Sequence, residues 1–300
     1  MAVIGAGPAG LNAALVLGRA RRRVALCDSG EPRNAPAEEM HGFLSRDGYS
    51  PRALDRVAHE QLHKYDSVEI IDGAVVAIDR NGAFRVTLRD GRMLFARRLL
   101  LATGMIDVLP PIDGLRSRWG HSVFVCPHCD GWEFRDREIG VFGEPQDIIG
   151  LAVELYRWSE KLTLFGFDPD AVGETHRKWL TMTGVRTVAY APRSLEGTGA
   201  TLAGVLCADG SRIACDVLFL CVPLEQRSPL PASLGCALEE NGGVSIDDSH
   251  RTTVPGVFAC GDMVTRVHQV VVAAASGAQA ALAIDDDLLD DDLAALVASG

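Results

Sequence analysis

Six consecutive residues, Cys126-Pro127-His128-Cys129-Asp130-Gly131, have the types and spacing for thiol–disulfide chemistry. Two thiols three positions apart close a small disulfide ring, usually at a helix N-terminus. There the helix dipole and neighbouring groups depress a thiol pKa and create the reactive thiolate. Asp130 and His128 are the candidate acid/base groups that would take a proton from an incoming thiol. As an imidazolium, His128 would also lower a cysteine pKa, although a structural role is equally open to it. The competing chemistry for a CxxC pair is half a zinc site, which needs about four ligands. Cys27, Cys207, Cys215, Cys221, Cys236 and Cys260 form no second pair. Recruiting His121 and His128 would be the remaining route to a zinc site, and no metal is expected. The other cysteines read as small buried hydrophobes.

The elements that would position this pair begin at the first residue. Met1-Ala2-Val3-Ile4 is a short apolar strand, Gly5-Ala6-Gly7-Pro8-Ala9-Gly10 a glycine turn, and the run from Leu11 a helix. In such a turn Gly5 permits the tight bend, Gly7 lets backbone approach a pyrophosphate, and Gly10 allows helix and strand to pack closely. The helix N-terminus supplies the partial positive charge that phosphates need. A second apolar run ends at Asp28, close to the roughly 20-residue distance expected of an acid that hydrogen-bonds a ribose hydroxyl. Two later strands end in glycine: Leu99-Leu100-Leu101 runs into Ala102-Thr103-Gly104, and Val257-Phe258-Ala259-Cys260 into Gly261-Asp262. Glycines there let backbone pass close to a ligand at the carboxyl edge of a parallel sheet. Asp262 would accept from a ribityl hydroxyl, and the small-residue helix from Gln269 to Ala283 would pack under a ring system.

Taken together, GAGPAG, ATG at Ala102 to Gly104, CPHCDG, VPGVFACGD from Val254 to Asp262 and the Gln269 helix resemble the low-molecular-weight thioredoxin reductase group of FAD flavoproteins. The matches run in family order along nearly the whole chain. The resemblance implies an α/β fold of two Rossmann-like, three-layer ββα domains, the second inserted in the first. It implies FAD at the first turn, Cys129 facing the flavin C4a, Asp130 as acid/base, and Gln269 with the Val270 backbone at the isoalloxazine ring. Ser29, Gly30, Arg33, Asn34, His41 and Val75 complete the candidate FAD contacts. His41 also reads as a core or loop residue. Phe124 and Trp132 flank the pair as candidate walls of a small-molecule site, with packing the default for both.

One stretch departs from the family. NADPH-using members carry a second glycine turn followed by a basic cluster for the 2′-phosphate. Here that turn is Gly143-Glu144-Pro145-Gln146-Asp147-Ile148, with proline at the second glycine and isoleucine at the third position. Proline removes an N–H and fills pyrophosphate space, and Glu144 and Asp147 put negative charge where phosphate would bind. No arginine pair follows the next strand; Arg177 and Lys178 come later, on what reads as a solvated helix face. A branch of the family fits this pattern: the FAD-dependent dithiol oxidases that close disulfides in natural products such as gliotoxin, holomycin and romidepsin. The Ala-, Arg- and Asp-heavy composition suits an actinobacterial member and leans towards holomycin-like dithiols. The expected reaction is oxidation of a small-molecule dithiol, with O2 as acceptor and H2O2 as product. The alternative is a disulfide reductase driven by NAD(P)H or ferredoxin. A non-catalytic redox sensor is a further alternative, disfavoured by the intact reactive pair.

Composition narrows the partners. The 300 residues allow two ordinary domains, and 47 % hydrophobic with 6 % aromatic residues describes a normal core. A net charge of −11 argues against nucleic-acid or anionic-membrane binding. No apolar run reaches the ~18 residues of a membrane span. A strand starting at Met1 leaves no room for a signal peptide, and its shortness suggests that a few native residues are missing. One catalytic pair among eight cysteines suits a cytoplasmic enzyme, and the resemblance suggests a homodimer. Prolines at 110–111 and 223–229 set the expected boundaries: 1–111 and 226–300 for the FAD domain, 112–225 for the insert. Asn81-Gly82 and Asp90-Gly91 turns predict a β-meander within 72–94. The acidic runs at 285–287 and 290–292 read as a solvated helix boundary or a dimer edge.

Overall fold

A computed structural model describes residues 1–299, with Pro145 described by its backbone alone. The chain divides into two units. The first combines Met1–Ala35, Ser50–Ile106 and the chain from Leu224 onward; the second combines Pro36–Tyr49 with Asp107–Pro223.

The first unit is built on a five-stranded sheet, in the order Val257–Ala259, Leu99–Leu101, Ala2–Ile4, Val24–Asp28, Val68–Asp72. Every neighbouring pair is parallel. Its three central strands are almost wholly apolar, which is what burial on both faces of a parallel sheet demands. A three-stranded antiparallel meander, Val75–Asn81, Ala83–Leu88 and Met93–Ala96, covers one face. Its hairpins turn at Gly82 and Gly91, both at positive φ. On the other face the helix Pro8–Arg19 packs against the long helix Val270–Ser299. These two helices meet backbone to backbone: a Cβ on Gly277 would lie 2.0 Å from the Ala9 carbonyl oxygen. Small residues at Ala13, Ala273, Ala280 and Ala281 continue the contact.

The second unit repeats the plan. Its parallel sheet runs Arg186–Val188, Leu162–Phe165, Ile139–Gly143, Val217–Cys221, Val123–Phe124. Its meander is Pro192–Glu196, Gly204–Cys207 and Arg212–Ala214, again inserted before the strand that returns to the sheet. The helix Pro145–Leu155 packs through Ile148, Ile149, Ala152 and Leu155. Each unit is thus a three-layer Rossmann-like domain, and the bulk of the second is inserted in the chain of the first.

Pro36–Tyr49 folds with the second unit, although the proline boundaries gave no sign of it. Gly120 makes the fit possible: its φ is +79°, and a Cβ there would lie 2.7 Å from the Pro36 carbonyl carbon. The acidic runs are not simply solvated. Arg22 pairs with Asp285 and Asp292, Arg97 with Asp291 and Asp292, Arg98 with Asp287 and Asp291, and Arg251 with Asp287. They zip the C-terminal helix onto its own unit. No helix among the described residues is long and apolar enough to cross a membrane.

Candidate active site

Cys126 and Cys129 are joined in a disulfide, with Cα atoms 5.3 Å apart. Cys126 is the N-cap of the short helix Pro127–Asp130, in extended conformation, and Pro127 supplies a φ suited to the first helical position. The strand Val123–Phe124 delivers this turn from the buried sheet.

Asp130 ends that helix in a partly buried position. Burial pushes its carboxyl up to about 7; the positive field of His41 opposes this and the negative field of Glu133 adds to it. A carboxyl poised there can take and return a proton near neutral pH. His128 is turned elsewhere. Its Nδ1 lies 2.9 Å from a Glu154 carboxylate oxygen, and its ring stands edge-on to Trp158 with centroids 5.5 Å apart. The histidine inside the pair is therefore anchored on the neighbouring helix, and Asp130 is the better-placed proton acceptor. Phe124 is a core residue, packed against Phe134 and Phe219. Trp132 is 63 % exposed, with the Arg135 guanidinium stacked 4.3 Å from its ring centroid. Of the two aromatic residues, Trp132 alone offers a surface beside the pair.

The first unit gathers the expected cofactor residues at the carboxyl edge of its sheet. Gly5 crosses tightly under the next strand: its φ is +107°, and a Cβ would lie 2.3 Å from the Ala102 carbonyl oxygen. Gly10 is closed in the same way, with a Cβ 1.8 Å from the Gly5 carbonyl oxygen. Gly7 differs. It is the N-cap at φ −70° and ψ −179°, allowed to any residue, and a Cβ there would meet nothing of the chain within 4 Å. Nothing in the fold requires glycine at that position, and the open space lies against a helix N-terminus that no side chain caps. Ala6, Pro8 and Ala9 complete this turn. That is a cradle fitted to a pyrophosphate, and FAD suits it.

Other candidates lie in the same unit. Asp28 ends its strand with one carboxylate oxygen accepting from the Gly30 N–H at 2.8 Å, which bends the chain through Ser29. Ala102 binds back to the first strand, and Thr103 Oγ1 sits 3.7 Å from the Met263 sulfur, just before Gly104. The Gly261 N–H donates to Ser276 Oγ, while Asp262 accepts from Arg33 at 2.9 Å. Asn34 follows Arg33 in the same unit, and Val75 begins the meander. Gln269 precedes the long helix, which starts at Val270, and its carbonyl accepts from the Ala273 N–H. Bound here, FAD would be held by these backbone and side-chain groups.

His41 is the exception among the expected cofactor residues. It belongs to Pro36–Tyr49, and thus to the unit that holds the cysteines.

The second glycine turn keeps the crossing and departs from the first turn after it. Gly143 has φ +156°, and a Cβ there would lie 2.2 Å from the Cys221 carbonyl oxygen, as Gly5 does beneath Ala102. The helix then starts one residue sooner than in the first unit, so that Glu144 is its N-cap and Asp147 lies in its first turn. Ile148 is fully buried. The Pro145 side chain, expected to fill pyrophosphate space, lies outside the described residues. Arg177 donates to the Val172 carbonyl at 2.8 Å, and Lys178 pairs with Glu174 at 2.8 Å. Both cations are engaged on their own surface.

Known proteins share this fold and much of its sequence. The family model for pyridine nucleotide-disulphide oxidoreductases matches residues 1–277. The thioredoxin reductase tcpT of Claviceps purpurea is 31 % identical, across 96 % of this chain and 94 % of its own. The thioredoxin reductase sirT of Leptosphaeria maculans is 31 % identical, across 98 % and 95 %. Among solved structures, HlmI superposes with a TM-score of 0.93 at 39 % identity, covering 99 % of this chain and 95 % of its own. The thioredoxin reductase TrxB of Bacillus anthracis, described as putative, gives 0.91 at 35 % identity, covering 97 % and 98 %. With a CxxC disulfide in one unit and a turn that suits a pyrophosphate in the other, this chain belongs to the pyridine nucleotide-disulphide oxidoreductase family, as a thioredoxin reductase-like FAD enzyme.

Proposed function

We propose that the enzyme oxidises a small-molecule dithiol to its disulfide, as in holomycin-like natural products, with O2 taking up two electrons and two protons to leave as H2O2. The observation that carries this reading is the pair of acidic residues, Glu144 and Asp147, at the N-terminus of the helix Pro145–Leu155. Glu144 and Asp147 place negative charge where the pyrophosphate of NADPH would need donors and positive potential. A reductase draws its electrons through that turn, whereas an oxidase has no use for it. HlmI, tcpT and sirT are similar along almost their full lengths.

In this reading Asp130 takes the proton from one substrate thiol, and the thiolate attacks Sγ of Cys126. The Cys126–Cys129 bond breaks, and Cys129 leaves as a thiolate. The second substrate thiol displaces Cys126, which closes the substrate disulfide and leaves both cysteines reduced. FAD, when bound, would supply the two-electron sink through which the pair is reoxidised at the expense of oxygen. The chain supplies the positions of the two sulfurs and a carboxyl poised for proton transfer.

The test is anaerobic. NADPH and NADH leave the flavin absorbance of the purified protein unchanged, a dithiol bleaches it, and admitted air restores it. Rapid bleaching by either nicotinamide would establish the reductase alternative.

A homodimer forms part of the same reading. Leu282, Leu289, Leu293 and Leu296 share one face of the C-terminal helix and are 58–71 % exposed, an apolar stripe of the kind that a second copy covers. Light scattering at the mass of one 32.1 kDa chain would remove this element. The free thiols of the other cysteines suit a reducing cytoplasm.

A further inference from the structure

The helix that carries the cysteine pair, Pro127–Asp130, is a single turn. One turn has no stability of its own, because nucleation fixes several dihedrals for few hydrogen bonds. Support from outside must hold the two sulfurs within reach of each other. It comes from the C-terminal end of the helix Pro145–Leu155, in the same unit.

Several contacts converge there. His128 Nδ1 lies 2.9 Å from a Glu154 carboxylate oxygen. A carboxylate only accepts, so Nδ1 carries the proton, and the bond holds for a neutral or a charged ring. Glu154 is held in turn by Arg157, 3.7 Å from the same oxygen, and the Arg157 guanidinium stands 5.1 Å from the Trp158 ring centroid. The His128 ring meets Trp158 edge-on, at an interplanar angle of 84°. Gly131, directly after the turn, rests on the same indole. A Cβ there would lie 2.5 Å from the Pro127 carbonyl oxygen and 3.1 Å from Trp158 Cδ2, so the demand for glycine is one of space. The exit of the turn is tied down as well. The Asp136 N–H donates to the Trp158 carbonyl at 2.9 Å, and Ser159 Oγ donates to the Arg137 carbonyl at 2.7 Å.

We propose that Glu154 and Trp158 clamp the CxxC turn closed, with His128 as the positioning residue they grip, and that this clamp sets the reduction potential of the pair. The inference rests on the reading of CPHCD as the redox site and deepens it. The physical link is effective concentration. A disulfide is favoured over two thiols in proportion to how tightly the fold confines each thiol beside the other. Contacts made by the closed turn therefore stabilise the disulfide, and closing the disulfide strengthens the contacts by the same amount. The clamp biases the pair towards the form in which an oxidase meets its substrate. The other role open to His128 has the opposite sign. An imidazolium beside a thiolate would stabilise the reduced pair, and its loss would lower the potential.

The experiment measures the thiol–disulfide equilibrium of the FAD-loaded protein under argon, in dithiothreitol buffers of stepped oxidised-to-reduced ratio. Two electrons and two protons pass between the buffer and the pair. Thiols are trapped by alkylation, and the peptide that holds Cys126 and Cys129 is read by mass spectrometry. His128→Ala and Glu154→Ala should each shift the equilibrium about tenfold towards the dithiol, which raises the potential by ~30 mV. The double variant should move no further than His128→Ala alone, because the two side chains act through one bond. His128→Asn, whose amide can still donate to Glu154, should recover part of the shift. A potential that falls in His128→Ala, one that stays unmoved in either single variant, or full additivity in the double variant overturns the clamp. The equilibrium requires neither turnover nor a nicotinamide, so its outcome is separate from whether the pair serves an oxidase or a reductase.

Discussion

A Cys129→Ser variant is expected to keep its FAD and to lose turnover by about 10^3-fold or more, as befits removal of a group that takes part in covalent chemistry. The FAD turn and the cysteine pair belong to different units, so the substitution leaves the cradle at Gly7 untouched. Serine is nearly isosteric with cysteine but forms no disulfide with Cys126, so a substrate thiol finds no S–S bond to attack and the exchange cannot begin. The variant retains Cys126 as a free thiol. Given the substrate disulfide, that thiol should form a mixed disulfide and release one substrate thiol, and no second cysteine is present to resolve the adduct. Mass spectrometry of intact protein would show one substrate added, removable by dithiothreitol and absent in Cys126→Ser. Ordinary turnover by Cys129→Ser would sink the redox assignment altogether.

Gly7→Val should fold and come off the column colourless. At φ −70° and ψ −179° valine is unstrained, and a Cβ at this position meets nothing of the chain within 4 Å. The methyl groups instead occupy the place of the pyrophosphate. Overfilling of that kind costs about 3 kcal/mol, roughly 100-fold in FAD affinity. The loss of bound FAD also removes the stabilisation that ligand binding confers, so the thermal midpoint should match that of the unaltered protein stripped of flavin. The contrasting variant is Gly10→Val, whose Cβ would sit 1.8 Å from the Gly5 carbonyl oxygen. It should fail at folding, before any question of cofactor arises. Full flavin occupancy in Gly7→Val would refute the placement of FAD at the first turn.

The sequence was legible where chemistry and local structure coincide. CPHCDG carries its reactivity and its helix start in the same residues, and GAGPAG is strand, turn and helix in one line. Each has a short-range cause, and so has the meander with its Asn-Gly and Asp-Gly turns. What stayed hidden depends on contacts between residues far apart in the chain. His41 is in no periodic pattern, and its place follows from Gly120 admitting Pro36 and from Glu133 meeting the imidazole. The acidic runs near the C-terminus look solvated because their partners, Arg22, Arg97, Arg98 and Arg251, are scattered through the chain. The early start of the second nucleotide-type helix has a local signal, since proline is pre-organised for the first helical position. A family template that aligns glycine with glycine obscures it.

The two glycine turns also separate demands that a motif usually blends. Gly5 and Gly143 answer to the same neighbour, the carbonyl at the end of the adjacent strand, and either domain collapses its crossing without them. Gly7 answers to no contact within the chain. Mutation can therefore erase nucleotide binding from such a domain while the architecture survives intact. A scaffold with that property is free to drift from electron delivery towards holding a cysteine pair in place.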